Sequence, residues 1–462
     1  MSKHITQRRR MAAALATVAL VVAACGSDDD SGDSGATATD APAGTDAPEG
    51  TDAPEGTDAP DSTDDMTDTG DLSVPDSPDD GVTSDVIKIG WMGDLTGPTA
   101  SAQAFNSHGT QAYFECVNED GGLLGRQIEY IPEDDQYSAE RAATNYAKLS
   151  QDDKVLALTD MGGSQISTVL GPNIEEDGIA TLGMGQTIDA QLENPYFFNM
   201  IAHYGDQADG AWVQILDQVG SAEEAVVAGI SLEVPSGQEW AAYVEQTVTD
   251  NGGTYVGTEY LAPTATEATA QVTRLKEWID NDGVNYLTLH GSPGAALVVM
   301  QSLNDAGIVI PIVGIHGVAS NNLWEEGPAE QAENTVGMHS FLTANNDIEA
   351  SEEMTRCAEL AGYAGEELII NFANGFAVGM VVEQAILAAA ETGELTRATF
   401  SEALRSQPWE TGGITCPLDW TTSQHSPCAA AFTYDPDTGG MVPLNPFEFY
   451  APAIDGVYGI ES

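Results

Sequence analysis

Positive charge is what this chain has least of. Lysine and arginine together number 14 in 462 residues, against 73 aspartates and glutamates, for a formal charge of −59. Phosphate neutralisation requires basic side chains, so nucleic acid is excluded as a partner. A salt-adapted surface explains the acidic excess more simply than a cationic ligand does, because net charge speaks to solubility rather than fold. Cysteine is scarce too: there are five, with no C-x-x-C pair among them, which argues against a zinc site. The phosphate loop G-x-x-x-x-G-K-[ST], the strand-to-helix G-x-G-x-x-G fingerprint and the G-x-S-x-G elbow are all missing, and with them the usual signs of nucleotide or hydrolase chemistry.

What is present begins with a targeting pattern. A basic start, "MSKHITQRRR", precedes an apolar run, "MAAALATVALVVAA". At about fourteen residues that run is short for a bilayer span but right for a signal-peptide core. It closes in "VAACG", where small residues before Cys25 resemble a bacterial lipobox. The expectation is a lipoprotein signal over residues 1–24, with Cys25 lipidated as the mature terminus and the protein anchored extracytoplasmically to the cell membrane. Ordinary secretion with Cys25 as a free thiol is the alternative. Residues 26–85 hold nineteen acids and no lysine or arginine, with the repeat "TDAPEG TDAPEG TDAP". This composition builds no core, so 25–85 is expected to be a disordered acidic tether.

The remaining chain alternates strand and helix signals. "VIKIGWMG", "IEYIPED", "KVLALTD" and "IATLGM" read as strands separated by helical stretches, and Ser138 is placed to cap the helix after it. The rhythm then restarts with "AVVAGIS", "TYVGTEYL", "VNYLTLHG" and "IVIPIVGI". Two such series predict an α/β protein of two Rossmann-like lobes, each a mainly parallel sheet flanked by helices, with a cleft between them. The apolar stretch "FANGFAVGMVVEQAILAAA" is interrupted by Asn374, Glu383 and Gln384, so a buried helix is expected rather than a membrane span. In an exported chain the four cysteines beyond Cys25 suggest two disulfides, for which three pairings exist. Cys416 and Cys428 flank the turn-rich "PLDWTTSQHSP" and are paired on that ground, leaving Cys116 with Cys357 by elimination.

Ligands of parallel sheets sit beyond the carboxyl ends of the strands. The loops there, 93–105, 160–165, 184–189, 231–238, 290–294 and 315–321, offer Gly, Ser, Thr, Pro, Asn, Gln and two histidines but no lysine or arginine. The turn "TDMGGSQIST" (159–168) leaves N–H groups and hydroxyls at a helix start, where an anion is welcome. Without basic residues that anion is a small carboxylate rather than a nucleotide.

These residues also carry a resemblance. "IKIGWMGDLTGPTA", Gly109, "VNEDGGLLGRQIEY", the acids at 133–135 and "IEEDGIATLGMG" are similar to the leucine/isoleucine/valine-binding family of receptors for ABC importers. "SLEVPSGQEWA", "HGSPGAALVVMQSLNDAGIVIPIVGIHGV" and "NTVGMHSFL" continue it through the second half, so that it covers about 86–405. The resemblance implies a periplasmic-binding-protein-like fold with three hinge crossings, near 202–205, near 338–342 and in the C-terminal part. One lobe would comprise 86–203 with 340–462, the other 204–339, with part of the C-terminal segment able to join the second. It implies no cofactor, no metal and no enzymatic activity, a monomer, and as partners a small solute, an ABC permease and its separate ATPase. A ligand-sensing module of the same fold is the rival.

Carried over by position, Ser164 and Thr187 fall where the family places hydroxyls on a ligand carboxylate, with Gly163 and Gly185 beside them. Ser236 and Ser292 stand at or next to positions where tyrosines are common, and Ala102 where an aromatic often closes the pocket. His316 takes the place of the acid that grips an α-ammonium. The ligand is therefore expected either to find a substitute acid among Asp94, Asp160, Asp189 and Glu233, or to lack an ammonium and meet a partly protonated His316. His290 is read as a packing residue, and Ser164 as a nucleophile is set aside for want of a base.

Overall fold

The computed structural model describes residues 72–183, 185–422, 425–426, 428–437, 440–445 and 448–449. The expected signal segment, Cys25 and most of the expected tether lie outside these residues. Thirteen strands are formed among the described residues, and their pairing follows from where apolar β-branched and aromatic residues cluster. The first five are β1 (Val86–Gly93), β2 (Gln127–Asp134), β3 (Ala157–Met161), β4 (Thr181–Gly183) and β5 (Phe197–Asn199). They make one parallel sheet in the order β2-β1-β3-β4-β5. Its central strands β3 and β4 are buried throughout, as sheets covered on both faces require.

A second sheet takes β6 (Val226–Leu232), β7 (Thr254–Leu261), β8 (Tyr286–His290), β9 (Ile312–Gly314), β10 (Thr335–His339), β11 (Cys428–Asp435) and β12 (Gly440–Pro443). Its order is β12-β11-β10-β9-β8-β6-β7, and β13 (Glu448–Phe449) pairs with β11. Strands β6 to β10 are parallel, whereas β11 runs antiparallel to β10 and to β12. The segment after Pro408, unassigned from sequence, thus supplies an antiparallel edge to the second sheet.

Helices α1 (Ala100–Glu119), α2 (Ala139–Ala147), α3 (Ser164–Asp177) and α4 (Asp189–Leu192) connect the first sheet. Ser138 caps α2 through the Arg141 N–H. α5 (Tyr204–Val219), α6 (Pro235–Asp250), α7 (Thr269–Asp282), α8 (Pro293–Asp305), α9 (Asn321–Glu325) and α10 (Ala329–Ala332) serve the second. Then come α11 (Ser351–Ala361), α12 (Ile370–Ala390) and α13 (Arg397–Leu404). α12 is long and apolar enough to cross a membrane, but it is a core helix, with Phe372, Phe376, Val381 and Ile386 packed in the same cluster as Ile87 and Leu182.

The chain passes between the two sheets three times, and the passages are fastened side by side. Ala202 N donates to Ser340 Oγ at 3.0 Å, joining the first to the second. Leu342 N donates to Ile414 O at 2.7 Å. Trp420 Nε1 donates to Asn199 O at 3.2 Å and its ring meets Phe198 edge-on, joining the third to the first. Disulfides join Cys116 of α1 to Cys357 of α11 and Cys416 to Cys428, with Cα atoms 5.5 and 6.4 Å apart.

One boundary is corrected. Composition places residues 72–85 with the tether, yet they fold onto the first sheet's body. Val74 and Val82 are buried in its core. Arg126 holds the segment by donating to Val74 O at 2.9 Å and Thr83 O at 2.5 Å and pairing with Asp76. An acid count hides this, because two valines and one distant arginine outweigh the surrounding charge.

α1 and α12 approach backbone to backbone. A Cβ on Gly109 would lie 2.0 Å from Phe372 O, and one on Gly375 would lie 1.8 Å from Asn106 O. Glycine in a helix interior otherwise costs about 1 kcal/mol relative to alanine, so the crossing must repay it. Gly375→Ala is expected to lower the free energy of urea unfolding by roughly 1–3 kcal/mol through overpacking. A gain in stability, as propensity alone would give, would refute the close crossing.

Candidate functional site

A cavity opens between the carboxyl edges of the two sheets. From the first side it is lined by Thr99, Ala102, Gln103 and Asn106 of the α1 region, by Tyr137, by Gly163 and Ser164 at the start of α3, by Gly185 and Gln186, and by Asn371 at the start of α12. From the second side come Tyr204, Leu232, Ser236, His290, Gly291, Ser292 and Pro293, with Ile315, His316 and Gly317. Its volume is about 70 Å³ measured to the centre of a water-sized sphere. One water needs roughly 10–15 Å³ on that measure, so the space suits a small solute. The two sides touch: Ser164 Oγ lies 3.1 Å from Ser236 Oγ and accepts from Ser236 N at 3.1 Å.

No lining residue is an acid, lysine or arginine. What the lining has is helix starts. The first turns of α1, α3, α5, α6, α8 and α12 all reach it, through Ala102, Ser164, Tyr204, Ser236, Pro293 and Asn371. First-turn N–H groups have no partner within their own helix and carry the positive end of the helix dipole. Six such ends around one cavity make an anion-favouring field without a formal charge.

Several buried polar atoms at the cavity have no partner. They are Asn106 Oδ1, Gln186 Nε2 and both ring nitrogens of His290. Their counterparts on the same side chains are engaged: Asn106 Nδ2 donates to Asp160 at 2.9 Å, and Gln186 Oε1 accepts from Gly163 N at 3.2 Å. Unpaired buried polar atoms each cost about 1–3 kcal/mol, which a polar ligand would recover.

The residues singled out from sequence divide as follows. Ala102, Gly163, Ser164, Gly185, Ser236, Ser292 and His316 are brought to the cavity. Thr187 is not; its hydroxyl is spent on Ile201 O at 2.6 Å, which corrects its placement on the ligand. His316 is there but not as a cation: burial lowers its pKa to about 4, and its backbone N–H and Nδ1 both face the Gln207 amide. His290 does line the cavity, so packing was too modest a reading. Burial, with His316 close by, takes it down to about 3, and it too is neutral.

None of the four candidate acids lines the cavity. Asp94 accepts from Thr99 N at 2.7 Å and Thr99 Oγ1 at 2.8 Å, fixing the entry to α1. Asp160, in a left-handed backbone conformation at φ 66°, accepts from Asn106 Nδ2 and from Met161 N. Burial raises it to about 6. Glu233 is exposed, and Asp189 faces the first crossing. The aromatic residues missing at 102, 236 and 292 are supplied from elsewhere, by Tyr137 and Tyr204. No motif in the sequence singles out Tyr137, which lies in the loop after β2. Its positive φ of 59° is a strain that no sequence pattern announces.

Behind Tyr137, Asp135 accepts from Tyr137 N at 2.7 Å while its Oδ2 is buried without a partner. Burial, then the charges of Asp94, Asp134 and Asp160, push it up to about 7. The folded protein thus keeps a proton that the unfolded chain loses near pH 4, and stability should fall as pH rises from about 4 to about 7. Asp135→Asn keeps the acceptor for Tyr137. It is expected to be more stable than the parent at pH 8, by roughly 1–3 kcal/mol, and to show a shallower slope below pH 7. Urea titrations at pH 5 and pH 8 read both; an unchanged slope would count against it.

A family profile described as periplasmic binding protein matches residues 86–440. Among solved structures, a fatty acid ABC transporter substrate-binding protein from Thermomonospora curvata superposes with TM-score 0.73 at 22% identity, over 81% of this chain and 95% of that one. A branched chain amino acid ABC transporter structure from Thermus thermophilus, with bound valine, gives 0.71 at 18% identity, over 80% and 97%. A leucine binding protein from Thermotoga maritima gives 0.65 at 15%, over 78% and 97%. No curated protein sequence matches the chain.

Proposed function

The chain belongs to the periplasmic binding protein family, and from that premise we propose that it is the extracytoplasmic solute-binding protein of an ABC importer. It captures a small carboxylate-bearing solute between two closing lobes and performs no chemistry on it. Its partners are a permease and the separate ATPase that drives it. Cys25 is its lipid anchor, and the acidic segment behind it holds the receptor off the membrane.

The observation that carries the solute class is the meeting of six helix starts around a cavity whose lining has no charged side chain. A buried carboxylate is costly unless donors surround it, and the cavity offers helix starts, the Ser236 hydroxyl, which Ser164 supports by donating to it, and Gln186 Nε2. An α-ammonium would find no acid among the lining residues. The solute is therefore an organic or aromatic acid, or an amide-bearing one, before it is a free branched-chain amino acid. A neighbour described as a fatty acid transporter's substrate-binding protein and one holding valine support the use of this fold for carboxylates, while the residues here set a different grip.

Thermal melting in the presence of short organic acids, aromatic acids, their amides and leucine tests the reading, because a ligand raises the melting temperature by mass action. Acids should stabilise most and leucine little. Ser164→Ala should weaken the best acid by about 1–2 kcal/mol while leaving the fold intact. Submicromolar leucine binding, or stabilisation by amines alone, would overturn the solute class.

A further inference from the structure

Away from the cavity, a second cluster of titratable groups sits where the chain first passes between the sheets. Asp189 begins α4 on the first side, Glu239 lies in α6 on the second, and His203 is the residue that leads the crossing into α5. His203 Nε2 is 3.0 Å from Asp189 Oδ1 and 3.1 Å from Glu239 Oε1. Asp189 N donates to both Glu239 oxygens at 3.1 and 3.2 Å, and Tyr243 OH donates to Asp189 Oδ1 at 2.9 Å. Two carboxylates from opposite sides of the cleft thus converge on one imidazole nitrogen. Alone they would repel, and a proton between them turns repulsion into a bridge.

We propose that Asp189, His203 and Glu239 form a proton-dependent latch that holds the lobes closed and lets go when its proton leaves. It rests on the reading of the chain as a two-lobed receptor that opens and closes. The latch needs no ligand, since its bonds join the two sides directly, so it sets how much of the closed state exists before any solute arrives.

Every neighbouring element adds to the balance. Asp206 of α5 bonds His425 Nε2 at 3.0 Å, and the His425 ring lies 6.0 Å from that of His203. Tyr243 of α6 meets the His203 ring edge-on at 5.0 Å. Burial opposes an imidazolium at His203, but the bonds to Asp189 and Glu239 and the charges of Glu239 and Asp206 outweigh it and raise its pKa to about 9. The Gly205 N–H points at His203 Nδ1 at 3.0 Å, which favours a second placement of the same proton, on Glu239, whose carboxyl burial also raises. Either placement leaves one net negative charge among the three groups, and its loss leaves two carboxylates facing each other across one neutral N–H; the pair titrates as a unit. The Gly205 bond keeps the neutral ring's own hydrogen on Nε2, so the proton that titrates is the additional one.

The sign follows from the raised value at His203. The latch is complete below about pH 6.5, the ordinary imidazole range, and is lost as pH rises through about 9. Hydrogen exchange of the full chain, in EDTA and with rates normalised for intrinsic pH dependence, reads it in peptides 160–168 and 232–240, which face each other across the cleft. Between pH 7 and pH 10 their normalised exchange should rise about threefold or more, while peptide 226–231 in the second sheet stays protected. Glu239→Gln, which removes one of the opposed charges, should abolish most of that rise. Asp189→Asn, at the more exposed partner, should do the same if the first variant fails to fold. A flat response in the parent chain, or an undiminished rise in a folded variant, overturns the latch. Solute stabilisation at pH 7 without the pH response sinks the latch alone; the pH response with no stabilising solute sinks the receptor reading alone.

Discussion

The site depends on a constraint of parallel sheets: each strand delivers the chain, at its carboxyl end, into the start of the next helix. One edge of such a sheet collects helix N-termini, and two sheets that face one another by those edges collect twice as many. β3 leads through Gly163 into α3, β6 through Val234 into α6, and β8 through Ser292 into α8. Their dipoles are directed where no side-chain charge is needed. The glycine crossing of α1 over α12 then brings Asn106 and Asn371 to the same wall. Topology, rather than any single motif, brings these helix starts to one cavity.

This also explains how the cavity tolerates acids close behind it. Asp94, Asp135 and Asp160 are all buried near the first sheet's edge, and no lysine or arginine lines the cavity beside them. Two of the three hold their protons into a higher range, at about 7 and about 6, so burial is met by neutralisation as much as by hydrogen bonds. A wall built this way is polar and sheds part of its negative charge as pH falls below about 7. It positions Thr99, Tyr137 and Asn106 at the cavity.

Much of the architecture was legible because it is periodic. β-branched runs with glycine-rich turns at their ends mark β1, β3, β6 and β8 directly, and the restart at 225 marks the second sheet. Three-residue strands such as β5 leave no period to read, and the antiparallel pair β11 and β12 lies in a segment without the βαβ rhythm. At the site, residues at helix starts were legible because the loop position fixes them, as with Ser164, Ser236 and Ser292. Side-chain direction was not. Thr187 sits in the right loop yet turns its hydroxyl to Ile201 O, and His316 is in the right place with the wrong charge, because burial is a property of three dimensions. Residues 72–85 escape a compositional reading for a related reason: Arg126, their anchor, lies more than forty positions from Thr83.

The three passages between the sheets have a mechanical consequence. A single linking segment would let two bodies swing, twist and slide like beads on a cord. Segments bonded laterally, Ala202 to Ser340, Leu342 to Ile414 and Trp420 to Asn199, behave like the spine of a book, stiff to torsion and shear and compliant about one axis. Relative movement is then described by one angle. Whatever docks against both covers senses that angle alone.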